Sequence, residues 1–154
     1  MTADLREELK QTKPFASLQQ EAQLSIMRTA ARLTDSLDRI FSPFGISSTQ
    51  YNALRILRGA GANGLCRNEL RDRMITRMPD VTRLLDRMEE AGLVTRSRDG
   101  ADRRLVSTRI TERGSRLLDE LDDVVAQEHQ RQLGGLNEGQ LETLISLLTE
   151  VRRP

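Results

Sequence analysis

The sequence predicts a mainly α-helical protein with a small β component in its middle third, which places it in the α+β class. Apolar residues recur at steps of three and four along both terminal thirds, which is the period of an α-helix. Between them, two short segments rich in Val, Thr, Leu and Ile flank a turn at residues 99–102, a pattern typical of a β-hairpin. A chain of 154 residues with 37% apolar residues fits one compact domain, or one module plus helices that hold it in an oligomer.

The N-terminal third predicts one long helix with a continuous apolar stripe. This stripe consists of Phe15, Leu18, Ala22, Ile26, Ala30, Leu33, Leu37, Ile40 and Phe44. The Ser-Pro-Phe-Gly segment at residues 42–45 ends the helix, because Pro cannot continue it and Gly supplies a turn. A stripe of this length exceeds what a small domain needs, so we expect the helix to bridge two modules or two subunits.

Two shorter helices follow. Ser47 with Gln50 three residues later has the form of a capping box, and a glycine-rich loop is expected at residues 59–64. Cys66 occupies the cap position of the next helix, with Glu69 at its third helical position.

A third helix is expected over residues 79–91. Pro79 fits its first turn, where a missing N–H costs nothing, and Gly92 supplies the left-handed residue that ends it. Its predicted apolar face consists of Val81, Leu84, Leu85 and Met88.

The β-hairpin is expected to pair residues 93–98 with residues 104–110. Two strands alone are marginally stable, so the hairpin must pack on the preceding helices. Two short helices followed by an Arg-flanked hairpin is the order of a winged helix-turn-helix.

The C-terminal third returns to helix, in two segments that Gly134 and Gly135 separate. The first predicted stripe is Leu117, Leu121, Val124 and Val125, and the second is Leu141, Leu144, Ile145, Leu148 and Val151. We therefore expect long helices at residues 1–46 and 112–154 around a lobe at residues 47–111.

Basic charge is concentrated in the middle of the chain. Residues 67–116 hold 13 Arg against 9 acidic residues, a net +4, whereas the rest holds 11 basic and 14 acidic residues, a net −3. This distribution favours phosphate binding. Of 24 basic residues 22 are Arg, which binds phosphates and guanine edges in bidentate fashion, although a GC-rich genome would also favour Arg codons.

Three stretches of this middle segment resemble the MarR family of bacterial transcriptional regulators. They are residues 79–94, the Asp-Gly-Ala-Asp-Arg-Arg turn at residues 99–104, and the Thr-Glu-Arg-Gly segment at residues 111–114. The resemblance implies a homodimer that binds palindromic double-stranded DNA through two lobes, usually to repress transcription. It also implies release of the DNA by a small, often aromatic or phenolic, effector bound between the dimerising helices and the lobe.

The helix from Pro79 is the one expected in the major groove, since its apolar face packs inward and its polar face is available. The candidate contacts at its start and along it are Arg77, Met78, Pro79, Asp80, Thr82, Arg83 and Arg87. Asp80 could accept a hydrogen bond from a cytosine amino group, or could act only as a first-turn acid favoured by the helix dipole. Arg87 could bind phosphate, or could form a surface ion pair with Asp86 or Glu90.

The wing residues Asp102, Arg103 and Arg104 are also expected at the DNA. Arg103 or Arg104 would enter the minor groove, where narrow A·T segments concentrate negative potential, and Arg104 is the preferred candidate. Asp102 would orient Arg103 by a charge-assisted hydrogen bond, or Arg103 would bind a phosphate.

Arg28 and Tyr51 are candidate effector contacts by analogy with the family's pocket, with packing or surface roles as the alternative. Cys66 allows a redox-sensor interpretation, because a helix N-terminus lowers the pKa of a thiol; the alternative is a small capping residue. A module used only for dimerisation or protein binding would fit the long helices but would leave the wing unexplained.

No catalytic group, cofactor or metal site is expected from the sequence. No nucleophile–base pair or phosphate-binding glycine motif occurs, and the single His129 lacks a ligand cluster. One Cys suits a reducing cytoplasm, the polar N-terminus is unlike a signal peptide, and no apolar run of ~18 residues could span a bilayer.

Overall fold

The computed structural model describes residues 4–98 and 104–154 as a helical protein with a three-stranded antiparallel sheet. The helices are α1 (Leu5–Glu8), α2 (Leu18–Phe41), α3 (Ser48–Ala60), α4 (Arg67–Arg73), α5 (Val81–Glu90), α6 (Glu112–Leu133) and α7 (Glu138–Arg152). The strands are β1 (Leu65–Cys66), β2 (Val94–Arg98) and β3 (Val106–Ile110). The predicted mainly α fold with a hairpin in the middle third is confirmed.

Helix α2 ends where the sequence predicts, although it is shorter than its apolar stripe. Ser17 caps its N-terminus by accepting from the Gln20 backbone N–H, and a 3-10 turn at Ser42–Phe44 follows its last residue. Gly45 closes that turn with a φ of 74°, in the left-handed region that favours glycine. Phe41, which does not belong to the predicted stripe, is the buried residue of this helix. In α2 the first half of the stripe is exposed to solvent, and its second half, from Leu33 to Ile40, is half-buried.

The capping box of α3 forms as predicted, with Ser47 and Gln50 bonded reciprocally. The expected loop at residues 59–64 is partly wrong, because α3 continues through Gly59 to Ala60 before a 3-10 turn at Gly61–Asn63. Gly64 has a φ of 65°, and a β-carbon at this position would collide with the Thr108 carbonyl oxygen of β3. The glycine therefore lets the chain enter β1 directly against β3.

Helix α5 begins at Val81, two residues later than predicted, with Asp80 as its N-cap. Pro79 consequently lies before the cap rather than in the first turn, because the Asp80 side chain already supplies the capping acceptor. The helix ends as predicted at Gly92, whose φ is 74°. The Leu93 N–H bonds to the Met88 carbonyl and the Gly92 N–H to the Glu89 carbonyl, which is the hydrogen-bond pattern of a Schellman motif.

The sheet has the order β1-β3-β2. Strand β1 was not predicted. Strands β2 and β3 pair from Val94 opposite Ile110 to Arg98 opposite Val106, as the hairpin prediction requires. Strand β1 adds Leu65 opposite Thr108. Two residues cannot display a period, so this pairing left no signal in the sequence.

The lobe and helix α6 share one hydrophobic core. It includes Leu54 and Leu57 of α3, Met88 of α5, and Leu118 and Leu121 of α6, all fully buried. Of the predicted stripe on α6, Leu121 and Val125 are buried, Leu117 is half-buried, and Val124 is exposed. Gly114 allows α6 to approach β2, because a β-carbon there would collide with the Leu93 carbonyl oxygen.

An ion pair fixes α3 to α6 beside this core. The Arg58 guanidinium donates in bidentate fashion to Asp122, with both N–O distances 2.9 Å, and its Nη1 lies 3.4 Å from Asp119 Oδ1. The hydrogen bond to Asp122 raises the pKa of Arg58, and the same bond holds the pKa of Asp122 below its usual value. The lobe is thereby held in a defined orientation on the long C-terminal helix.

Helix α7 buries none of its residues against the rest of the chain. Ile145, Leu147 and Val151 are each at least 60% exposed. Among the described helices, none has a long enough apolar stretch to cross a membrane.

Candidate nucleic-acid interface

Helix α5 presents a polar face to solvent along its whole length. Val81, Leu84, Leu85 and Met88 are buried, as predicted. Thr82, Arg83 and Arg87 are exposed on the surface of the same helix. An amphipathic helix held by one face leaves the other available to a partner, which is the arrangement that major-groove binding requires.

Asp80 caps this helix. Its Oδ1 accepts from the Arg83 backbone N–H at 3.0 Å, and its Oδ2 lies 3.8 Å from Arg83 Nε. One carboxylate oxygen is therefore already used within the protein. Of the two interpretations from the sequence, this geometry favours the helix-end acid over the cytosine acceptor.

The connector, which we define as residues 74–80 between α4 and α5, has some side chains in solvent and others against the core. Arg77 and Pro79 are exposed, whereas Met78 is half-buried and packs against the core. The Ile75 N–H donates to Asn52 Oδ1 at 2.9 Å, which ties the connector to α3. Arg77 thus lies beside the start of α5, while Met78 is directed largely toward the protein.

The rival interpretation of Arg87, a surface ion pair with Asp86 or Glu90, is not what the structure has. Asp86 pairs with Arg96 instead. Within residues 4–98 and 104–154, no carboxylate lies at ion-pair distance from Arg87. Among those residues, nothing prevents the Arg87 guanidinium from binding an external anion such as a phosphate.

Arg96 on β2 joins the wing to α5, a contact that was not predicted from the sequence. Its Nη2 lies 2.6 Å from Asp86 Oδ1 and 3.0 Å from Glu89 Oε1, and its backbone N–H donates to Glu89 Oε2 at 3.0 Å. The hydrogen bonds to Glu89 and Asp86 raise the pKa of Arg96, and the bond from Arg96 lowers the pKa of Glu89. The wing strand and the helix are therefore clamped together.

Arg104 lies exposed at the end of the hairpin, two residues before β3 begins. The structure thus places it on the wing, as predicted. Asp102 and Arg103, the other two predicted wing contacts, lie outside the described residues.

A separate cleft of about 360 Å³ lies between α2, α3 and the connector, with Tyr51 in its wall. The Tyr51 ring stacks on Phe41 with ring centroids 4.4 Å apart, and its hydroxyl accepts from Arg55 Nη1 at 3.3 Å. Arg28, the other predicted effector contact, is not part of this wall. Its Nε lies 3.5 Å from Glu8 Oε2, because α1 folds back along α2.

Cys66, the half-buried cysteine of the redox interpretation, is the N-cap of α4. Its backbone N–H donates to Glu69 Oε2 at 2.8 Å, and this bond lowers the pKa of Glu69. The predicted capping arrangement is present, with the reciprocal acid in place.

Comparisons with known proteins agree on one family. The model of the MarR family matches residues 46–106. A solved structure of a MarR transcription factor from Planctomyces limnophilus is 42% identical, covers 88% of this chain and 98% of its own, and has a TM-score of 0.67. The HTH-type transcriptional repressor IacR of Pseudomonas putida is 27% identical over 82% of this chain and 74% of its own length.

A further likeness concerns the fold alone. A mutant of MarR from E. coli, solved in complex with operator DNA, is 24% identical and has a TM-score of 0.79. The match covers 98% of this chain and 100% of that chain. The arrangement of lobe and terminal helices described above is therefore one that a DNA-bound protein also has.

Proposed function

Because the chain belongs to the MarR family of transcriptional regulators, we propose that it represses transcription by binding a palindromic DNA operator as a homodimer. The observation that carries the proposal is the exposed polar face of α5, held in fixed relation to the wing by Arg96. Two elements at a fixed separation can bind two adjacent grooves of one duplex.

In this proposal α5 enters the major groove with its N-terminal end foremost. Thr82 and Arg83 contact base edges there, and Arg77 lies where the connector meets the groove. Pro79 and Met78 set the path of the connector as it reaches the DNA, and Met78 holds this segment to the protein by packing against the core. Asp80 supports this end of the helix as its cap, and the hydrogen bond to Arg83 N–H favours that role.

Arg87 lies one turn further along α5 and binds a backbone phosphate. The engagement of Asp86 with Arg96 supports this assignment, since it removes the most obvious internal partner of Arg87. In the wing, Arg104 enters the minor groove. Asp102 and Arg103 complete the wing contact, with Asp102 orienting Arg103.

The homodimer is supported by apolar surface that one copy leaves uncovered. Helix α7 has no buried residue, and Leu144, Ile145 and Val151 of its predicted apolar stripe are 37%, 63% and 67% exposed. On α2, Leu18 and Ile26 of the predicted apolar stripe are 81% and 39% exposed. A continuous apolar face of this kind is stable in water only when a partner covers it, and a second copy would bring the same faces together.

In this proposal, DNA binding and dimerisation belong to different parts of the chain. Residues 47–111 form the DNA-binding lobe, and residues 1–46 and 112–154 form the dimerisation helices that set the distance between two lobes. The shared core and the bond between Arg58 and Asp122 hold the lobe in a fixed orientation on helix α6. As a regulator of bacterial genes, the protein would work in the cytoplasm.

The cleft beside Tyr51 is the proposed effector site. Its volume of about 360 Å³ suits a small molecule, and aromatic and guanidinium groups from Phe41, Tyr51 and Arg55 lie in its wall. These groups suit a small aromatic acid or phenol. The cleft also includes Ile75 of the connector, so an occupant would contact the segment that leads into α5.

Selection of bound sequences from random duplex DNA tests the proposed function. The full chain should enrich an inverted repeat whose half-sites lie about one helical turn apart, as two-fold symmetry requires. Arg83→Ala should retain the repeat but relax the preference at one position in each half-site. Enrichment of no sequence, together with no retention of any duplex, would overturn the proposal and favour a module used only for dimerisation or protein binding.

A further inference from the structure

A second cleft, of about 380 Å³, opens between α4, α5 and the wing. The guanidinium groups of Arg67, Arg96 and Arg104 line it, together with the polar side chains of Asn68 and Thr82. None of the described residues in its wall is Asp or Glu. Arg96 is paired with Asp86 and Glu89, so the case for an anion in this cleft depends mainly on Arg67.

Arg67 extends from α4 across to α5 within this cleft. Its Nη1 donates to Thr82 Oγ1 at 3.2 Å, and both residues are exposed. Within the part of the chain that the structure describes, no carboxylate lies at ion-pair distance from Arg67. Arg96 differs, because Asp86 and Glu89 neutralise it.

The position of the cleft limits what can lie in it when DNA is bound. A sugar–phosphate backbone always separates a major groove from the adjacent minor groove. With α5 in the one and Arg104 in the other, that backbone must cross the space between them. The cleft occupies this space, since its walls are α5 on one side and the wing on the other.

We propose that this cleft binds a phosphodiester of the DNA backbone, and that Arg67 is a DNA-contacting residue outside both helix α5 and the wing. The proposal rests on the proposed function. The Arg67 guanidinium donates to the phosphate oxygens, and a planar guanidinium can do so in bidentate fashion. The Thr82 hydroxyl accepts from Arg67 Nη1 and so helps to position it, in addition to the base contact proposed above.

The salt dependence of operator binding tests this proposal. Each phosphate contact contributes a slope of about 0.9 to the plot of log affinity against log salt, so loss of one contact per subunit should lower the slope of the dimer by about 1.8. The measurement uses the full chain on the selected operator, with Arg67→Ala, Arg67→Lys and Arg116→Ala. Arg116 pairs with Glu112 on the surface of α6, and its removal serves as the matched control.

The expected result is a lower slope and several-fold weaker binding for Arg67→Ala, with the slope retained by Arg67→Lys and by Arg116→Ala. Equal thermal midpoints would show that folding is unchanged. If the wild-type protein binds with a steep slope and Arg67→Ala matches it, the cleft proposal is wrong while the proposed function stands. If the wild-type protein binds no duplex, both fail.

A free anion is the competing occupant. Inorganic phosphate at constant ionic strength would then raise the thermal midpoint of the wild-type protein but not of Arg67→Ala, while both proteins bound the operator equally. That combination would overturn the assignment to the DNA backbone.

Discussion

The Nη2 atom of Arg96 on the first wing strand lies 2.6 Å from Oδ1 of Asp86 on helix α5. Glu89, one turn along the same helix, accepts from Arg96 Nε at 3.3 Å and from Nη2 at 3.0 Å. The side chain of Arg96 is only 24% exposed, so solvent weakens these bonds less than at an open surface. Strand β2 is therefore held against α5 before any DNA is bound.

Replacing Arg96 with Ala should weaken operator binding without removing a DNA contact. The wing loses its fixed position and must be ordered on binding, and folding stability should fall by about 1 kcal/mol. Gel-shift titrations at several salt concentrations should show lower affinity with an unchanged salt slope. A slope reduced as much as by a phosphate-contacting variant would contradict a positioning role.

Replacing Arg104 with Ala should lower operator affinity and reduce the salt slope, because a cation leaves the minor groove. Sedimentation at the same protein concentration should show an intact dimer. Arg104 lies on the wing, whereas the proposed dimer surface lies on α2 and α7. Arg116→Ala is again the control. Unchanged operator binding by Arg104→Ala would remove Arg104 from the interface.

Gly114 and Gly59 offer a matched pair for the packing of α6 on the lobe. A β-carbon at Gly114 would meet the Leu93 carbonyl oxygen and the Leu54 side chain, so Gly114→Ala should lower the free energy of unfolding by about 1 to 3 kcal/mol. Gly59 has open space around it within α3, and Gly59→Ala should stabilise by up to about 1 kcal/mol. Urea unfolding at fixed protein concentration measures both. Equal effects of the two substitutions would show that α6 does not pack as described.

Glu128 should make stability depend on pH at acid values. It accepts from Ser36 Oγ at 2.5 Å and from Arg131 Nε at 2.8 Å, and the bonds from Arg131 and Ser36 lower its pKa from 4.5 to about 2. A lowered pKa in the folded state means that the carboxylate stabilises the protein above about pH 4.5 and loses this effect as the pH falls toward 2.

Thermal unfolding of the wild-type protein and Glu128→Gln measures this effect. The midpoint of the wild-type protein should exceed that of the variant by a constant amount above pH 4.5, and the difference should shrink below it. A difference that is the same at every pH would show that the Glu128 charge does not contribute.

Local signals in the sequence predicted the ends of the elements well. Gly45 and Gly92 have the left-handed conformations that end α2 and α5, and Ser47 forms its capping box. Each of these features depends on residues within one turn of helix. The start of α5 was misplaced because Pro79 and Asp80 are both good helix-start residues, and the sequence alone could not decide between them.

Contacts between distant segments could not be predicted in the same way. The pairing of Arg96 with Asp86 and of Arg67 with Thr82 depends on how three elements meet in space. Strand β1 pairs with β3 about forty residues later, and nothing local distinguishes it from a loop. Arg28 was assigned to a cleft by analogy alone, and the short helix α1, which was not predicted from the sequence, brings Glu8 to it instead.

The most direct test is the affinity of the 154-residue chain for duplex DNA at about 50 and about 200 mM salt. A dimer whose two lobes together bind about six to ten phosphates should lose a factor of about 10³ to 10⁵ in affinity between these concentrations. The affinities of Arg67→Ala and Arg104→Ala should each fall by a smaller factor than that of the wild-type protein. Binding that is absent at low salt, or equally strong at both concentrations, would contradict the proposal that this protein acts on DNA.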